Sequence, residues 1–138
     1  MGAMTTLPWG RPITRADLRT YIAPLDVVLA DDTVLQPDVL VARRADLTDR
    51  DLPAPPVLAV EVMSPSTRRI DGLLKPARYA SSGVHHYWLV DPGEPSLTAY
   101  ELGVEGYHVV TVVRGIETFA AERPFAVSVT PGDLVGDA

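Results

Sequence analysis

Residues 57–63, Val57-Leu58-Ala59-Val60-Glu61-Val62-Met63, form a nearly continuous apolar run that holds one carboxylate. A run of this length, bounded by prolines upstream and Ser64-Pro65 downstream, reads as a strand buried on both faces at the centre of a sheet. The next residues constrain the topology further. Ser64-Pro65-Ser66-Thr67 is a helix-start signal with Ser66 or Thr67 as N-cap. A helical segment is predicted from there to about Ser82, with Gly83 as its left-handed cap. Gly72 and Pro76 interrupt it, and Pro76 is expected to kink or restart the helix just beyond Lys75. His86-Tyr87-Trp88-Leu89-Val90 is the next strand. Strand, helix, strand at this spacing makes a right-handed crossover, so 57–63 and 87–90 are predicted to be parallel neighbours.

The flanking segments are simpler. Leu25 to Leu29 reads as a strand with Asp31-Asp32-Thr33 as its turn, and Gln36 to Ala42 as the next strand. An Asp- and Arg-rich loop follows, closed by Pro53, Pro55 and Pro56. Leu97–Leu102, Tyr107–Val113 and a weaker Phe125–Val129 are predicted to form a meander, and Thr14 to cap a short helix through Leu18. The fold class expected is α/β: a mixed sheet with a flanking helix. The 138 residues make one domain, expected over 4–138, with residues 1–3 of Met1-Gly2-Ala3-Met4 reading as a cloning remnant before a natural start at Met4. No cysteine is present, which excludes disulfides, zinc–thiolate sites and thiol catalysis. No apolar run reaches membrane-spanning length and no signal-peptide pattern opens the chain, so a cytoplasmic protein without membrane contact is the expectation.

The charged residues point to chemistry. The chain holds 12 Lys and Arg, and Lys75 is the one lysine among them. Guanidinium stays protonated at any working pH, whereas an ammonium is compact and its pKa moves on burial. Glu61 in mid-strand costs several kcal/mol to bury charged unless a cation or protons compensate. Alternation puts Val57, Ala59, Glu61 and Met63 on one face of their strand. Asp38 shares a face with Leu40 and Ala42, and if its strand lies beside that of Glu61, two hard oxygen ligands converge at a distance suited to Mg²⁺ or Mn²⁺. Asp71, Lys75 and Tyr79 lie four residues apart, so one helix face can present all three to the carboxylates; a plain Asp71–Lys75 ion pair is the simpler alternative. An Asp, a strand Glu and a lone Lys are the ingredients of a metal-dependent phosphodiesterase site. The net charge of −6 speaks against a general nucleic-acid coat. Residues 43–78, with Arg68, Arg69 and Arg78 among their seven cations against five acids, are nonetheless +2, and the remainder is −8. Ser64, Ser66 and Thr67 read as caps, since no G-x-S-x-G elbow or histidine partner accompanies them. His85, His86 and His108 read as structural or surface residues, and Tyr87 and Trp88 as core.

Gln36-Pro37-Asp38, Ala59-Val60-Glu61-Val62 with Ser64-Pro65-Ser66-Thr67, Asp71, Lys75, Tyr79, Gly83-Val84 and Tyr87-Trp88-Leu89-Val90-Asp91-Pro92 together resemble the Uma-two family of endonucleases, a branch of the PD-(D/E)XK restriction-endonuclease-like superfamily. The resemblance covers over half the chain in order. It implies a restriction-endonuclease-like core, with Asp38 matching the Asp of the signature and Glu61 its second acid. The standard lysine position, two residues on, is Met63 here, and the family supplies its lysine from the following helix, which is Lys75. The activity implied is a nuclease on DNA using Mg or Mn held by Asp38, Glu61 and the Val62 carbonyl, with Ser64, Asp71 and Tyr79 in support and Arg68, Arg69 and Arg78 contacting nucleic acid. Relatives carry a longer N-terminal part, so this chain is expected to be N-terminally abbreviated. The missing helix would leave the sheet strands bearing Val27, Val28, Leu40, Val57 and Val60 exposed, hence an expected homodimer or higher oligomer. The alternative reading is a catalytically inactive remnant that acts as an interaction or dimerisation module.

Overall fold

The computed structural model describes residues 5–6, 12–13, 17–22, 26–30, 33–63 and 75–134. Its strands are β1 (Thr5–Thr6), β2 (Pro12–Ile13), β3 (Leu18–Ile22), β4 (Asp26–Ala30), β5 (Thr33–Leu35), β6 (Val39–Arg43), β7 (Asp51–Leu52), β8 (Leu58–Val62), β9 (His86–Asp91), β10 (Ser96–Gly103), β11 (Gly106–Arg114), β12 (Phe119–Ala121) and β13 (Val127–Val129). The α-helices are α1 (Lys75–Ser81) and α2 (Pro131–Leu134). Six strands form the main sheet in the order β11-β10-β9-β8-β6-β3. The apolar run of residues 57–63 supplies β8, which lies inside this sheet, and β8 runs parallel to β9 with Ala59 opposite Tyr87 and Glu61 opposite Leu89. On its other side β8 is antiparallel to β6, with Val39 opposite Val60 and Leu40 opposite Ala59. The mixed sheet and the parallel crossover are both as the sequence implies.

Period-two alternation divides the core into two layers. On one face Leu40, Ala42, Ala59, Tyr87 and Leu89 pack with Val27, Leu35 and Leu52 of a small sheet ordered β5-β4-β7, and with Tyr79 and Val84 at the end of α1. On the other face Val41, Leu58, Trp88, Val90, Leu97, Ala99 and Val113 pack with Ala121, Phe119, Val127 and Val129 of the β12–β13 ladder. Trp88 meets Phe119 edge-on at 5.6 Å between ring centroids. His85 and His108 are exposed. His86 faces the second layer, where burial, with His85 and Arg123 adding to it, lowers its pKa to about 4.

Four expectations change. Leu18 opens strand β3, paired with β6, where a short helix was predicted; Leu-Arg-Thr-Tyr-Ile suits a pleated half-buried surface better than a helix. Residues 33–35, read as turn and linker, form β5 against β4. The third meander strand leaves the main sheet: Gly115, at φ +58°, turns the chain, and Val127–Val129 pairs with Phe119–Ala121 instead of with β11. The exposed sheet face from which a dimer was expected is covered at Leu40, which is fully buried against the small sheet whose Val27 packs on the same side. The predicted helix start at Ser64 to Thr67 and the segment through Leu74 lie outside the described residues.

The end of α1 is the most sharply determined local feature. The Val84 amide donates to the Tyr79 carbonyl at 3.1 Å and the Gly83 amide to that of Ala80 at 3.1 Å, the paired bonds of a Schellman cap. Gly83 sits at φ +81°, and an added Cβ would find its nearest neighbour, Pro55 Cγ, at 3.9 Å, so space is not the obstacle. The cost of a side chain lies in the left-handed backbone. Gly83→Ala is expected to destabilise the fold by about 1 kcal/mol, read as a lower urea midpoint at unchanged m-value.

Candidate active site

Glu61 is 1% exposed, a carboxylate set in the middle of the sheet. Extending the β6–β8 register by one pair places Asp38 opposite it, at the bend that precedes β6. The Asp38 Oδ2 accepts a hydrogen bond of 2.7 Å from the Val62 amide, which ties the loop bearing Pro37 to the end of β8. Two acids from adjacent strands thus meet at one edge of the site face. Val62, whose side chain is 43% exposed, sits beside them and has its amide committed to Asp38.

The helix supplies the third component. Tyr79 is 2% exposed, and its hydroxyl donates to Glu61 Oε1. Burial pushes the Tyr79 phenol far above its ordinary value of 10.0, and the bond to Glu61, with the negative charges of Glu61 and Asp38, acts in the same direction. Burial and the neighbouring carboxylate thus hold Tyr79 protonated as the donor in this bond. Its ring stacks on Tyr87 at 5.0 Å, and Tyr87 in turn lies 5.7 Å from both Tyr100 and Tyr107. The Tyr107 hydroxyl donates to the Val84 carbonyl just past the helix cap, so the stack grips α1 at its C-terminal end. Lys75 is the first residue of α1, one turn before Tyr79, and its backbone belongs to the same stripe of the helix.

A cleft of about 290 Å³ opens above the acid, lined by Val34, Leu35, Gln36, Glu61, Arg78 and Tyr79. Of the residues the sequence singles out, Asp38, Glu61, Val62 and Tyr79 come together, and exposed Arg78 lines the same cleft. Ser64, Arg68, Arg69 and Asp71 lie outside the described residues. Sequence reasoning assigned no role to Gln36 or Val34. Their signal was the short β-rich stretch Thr33-Val34-Leu35 directly before Pro37-Asp38, which reads as strand once Asp31-Asp32 is taken as the whole turn. The donors available are two carboxylates and a strand carbonyl, an all-oxygen set that fits a hard divalent cation retaining several waters and not a thiophilic metal. Among the described residues no three His, Asp or Glu side chains converge on a single point. Nor is any described helix long and apolar enough to cross a membrane.

Comparison with known proteins bears on the family and the fold. A family model described as "Uma2: Putative restriction endonuclease" matches residues 4–132. Among solved structures, a crystal structure of "a putative nuclease belonging to DUF820" from Anabaena variabilis superimposes with a TM-score of 0.66 at 17% identity, over 86% of this chain and 68% of that one. At that identity the likeness establishes a shared fold, so the α/β restriction-endonuclease-like core stands. No curated protein matches the chain.

Tyr79→Phe removes one hydroxyl and keeps the ring stack. It deprives a buried carboxylate of a donor, and the expected loss is about 2 kcal/mol of stability at neutral pH, measured by urea unfolding. The parent should also lose stability as pH rises above 10. There the unfolded chain releases the phenolic proton that the folded chain retains. The phenylalanine variant should show a shallower alkaline decline, with the remainder due to Tyr107, whose phenol burial also raises.

Proposed function

The chain belongs to the Uma2 restriction endonuclease family, and from that premise we propose that it is a divalent-metal-dependent nuclease that hydrolyses phosphodiester bonds of DNA. The observation that supports this reading is buried Glu61 lining an open cleft, with Asp38 on the Val62 amide next to it and helix α1 joined to it by Tyr79. Asp38, Glu61 and the Val62 carbonyl would hold Mg²⁺ or Mn²⁺. The bound ion supplies Lewis acidity, lowering the pKa of its water and offsetting charge on the phosphate. Lys75 orients the attacking water, and Arg68, Arg69 and Arg78 contact the DNA backbone. Ser64 and Asp71 support the lysine-bearing segment.

A catalytically inactive interaction module is the competing reading, favoured by the lack of a third acid at the described site. Thermal melts with increasing Mg²⁺ or Mn²⁺ separate the two. A competent site gains about 2.7 kcal/mol at a hundredfold excess over Kd, and an inactive remnant gains nothing. Self-association enters through the outer strand β11, where Val109 and Val110 are 53% and 46% exposed, and light scattering at micromolar concentration tests it.

Glu61→Gln should abolish metal-dependent cleavage and metal-induced stabilisation while leaving the apo fold as stable or more so. The amide oxygen still accepts from Tyr79, and the cost of burying a full charge in the sheet without a metal is removed. Parent-like cleavage by this variant would remove Glu61 from the site.

Lys75→Arg should lower the cleavage rate roughly a hundredfold, close to the loss in Lys75→Ala. The charge survives, but a planar guanidinium cannot take the place of a compact ammonium beside water and phosphate oxygen. Single-turnover cleavage assays of both variants decide it; full activity with arginine would reduce Lys75 to a generic cation.

A further inference from the structure

The cleft over Glu61 has two unlike walls. The α1 wall presents Arg78, an exposed cation suited to a phosphate. The β5 wall presents Val34, an apolar side chain left 44% exposed, followed by buried Leu35 and exposed Gln36. Gln36 is not a loose surface amide. Its Nε2 donates to Asp26 Oδ1 on β4, which fixes the plane of the group and leaves the amide carbonyl and the second amide hydrogen for another partner.

A fixed amide beside an apolar surface has little to meet on a sugar–phosphate backbone. Backbone contacts position a nucleic acid, and they are made by cations, hydroxyls and main-chain amides. Amides and apolar groups read base edges and faces. In a continuous duplex the base edges lie within grooves, and a protein reaches them by inserting a projecting helix or ribbon. Here Val34 and Gln36 line a concavity with Glu61 at its floor, so they project into no groove. A base meets them only when it leaves the stack and comes to the cleft.

We propose that this cleft takes one unpaired nucleotide, with its base between Val34 and Gln36 and its phosphate toward Arg78. The substrate class is then a single-stranded or locally unpaired DNA strand rather than continuous duplex. The proposal rests on the nuclease reading and narrows it.

The test is fluorescence anisotropy in EDTA, where nothing is cleaved, with three probes of about 15 nucleotides: a single strand, its full duplex, and that duplex with one bulged nucleotide. Single strand and bulged duplex are expected to bind about tenfold tighter than the full duplex. Val34→Ala and Gln36→Ala should each weaken single-strand binding at least fivefold while leaving the weak duplex binding unchanged. Arg78→Ala should weaken all three probes alike. Val34 and Gln36 are both exposed, so thermal melts should show these variants folded. Equal or tighter binding of full duplex overturns the proposal, as does parent-like single-strand binding by both the Val34 and Gln36 variants. Failure to bind any probe overturns it too. The metal melts then report whether the nuclease reading falls with it, because a chain stabilised by metal but indifferent to unpaired DNA loses this inference alone.

Discussion

The hydrogen bond between the Tyr79 hydroxyl and the Glu61 carboxylate is the contact on which the rest of the site depends. A carboxylate at 1% exposure in a sheet strand is costly by itself, and the protein offsets that cost with a buried donor from the neighbouring layer. The same bond sets where α1 lies along its axis. Tyr79 reaches Glu61, and position 75 falls one helical turn away along the same stripe of the helix. The Schellman cap at Gly83 and the Tyr107 hydroxyl on the Val84 carbonyl then fix the other end of the helix. One acid–phenol contact thereby joins sheet, helix and aromatic stack.

That dependence explains why the centre of this fold is legible in the sequence and its periphery is not. The run around Glu61 admits one interpretation, since seven residues that are nearly all apolar, followed by a helix start and a second strand, leave a parallel crossover as the available geometry. Tyr79 stands out in the sequence by its four-residue spacing from Lys75, because helix faces are periodic. The margins obey weaker rules. Leu18-Arg19-Thr20-Tyr21-Ile22 is short and half polar, and it becomes strand by pairing with β6, a fact no local pattern contains. β12 has three residues, Phe119-Ala120-Ala121, and owes its existence to the core it covers beneath Trp88 and Val90.

The exposed sheet face failed for a related reason. A helix is one way to bury Leu40, and a small sheet is another. The chain uses a three-stranded flap instead, in which Val27, Leu35 and Leu52 come from β4, β5 and the two-residue β7. β7 arises in a loop dismissed as polar, where Leu52 is the apolar residue among Asp49, Arg50 and Asp51 and is fully buried. A leucine between charged residues is a weak signal in the sequence and a strong one in the fold, where Leu52 is buried with Leu47 and Ala54 packed against the same cluster.

The flap does more than cover the core. A helix laid over Leu40 would place its own side chains at the acid, fixed by a period of 3.6 residues. A β-hairpin instead brings an edge, with alternate residues pointing to and from the core. Leu35 turns inward and is buried, while Val34 and Gln36 on either side of it are left at the cleft. The chain then passes directly through Pro37 to Asp38. Three consecutive requirements are met by five residues: a core anchor at Leu35, a cleft wall at Val34 and Gln36, and an acid at Asp38 held by the Val62 amide. Moving any of them along the chain by one would exchange wall for anchor and turn the carboxylate away from Glu61. The spacing of the cleft wall and that of the acid are one constraint, so a change in what the cleft admits has to be made by substitution at Val34 or Gln36 and not by insertion between them and Asp38.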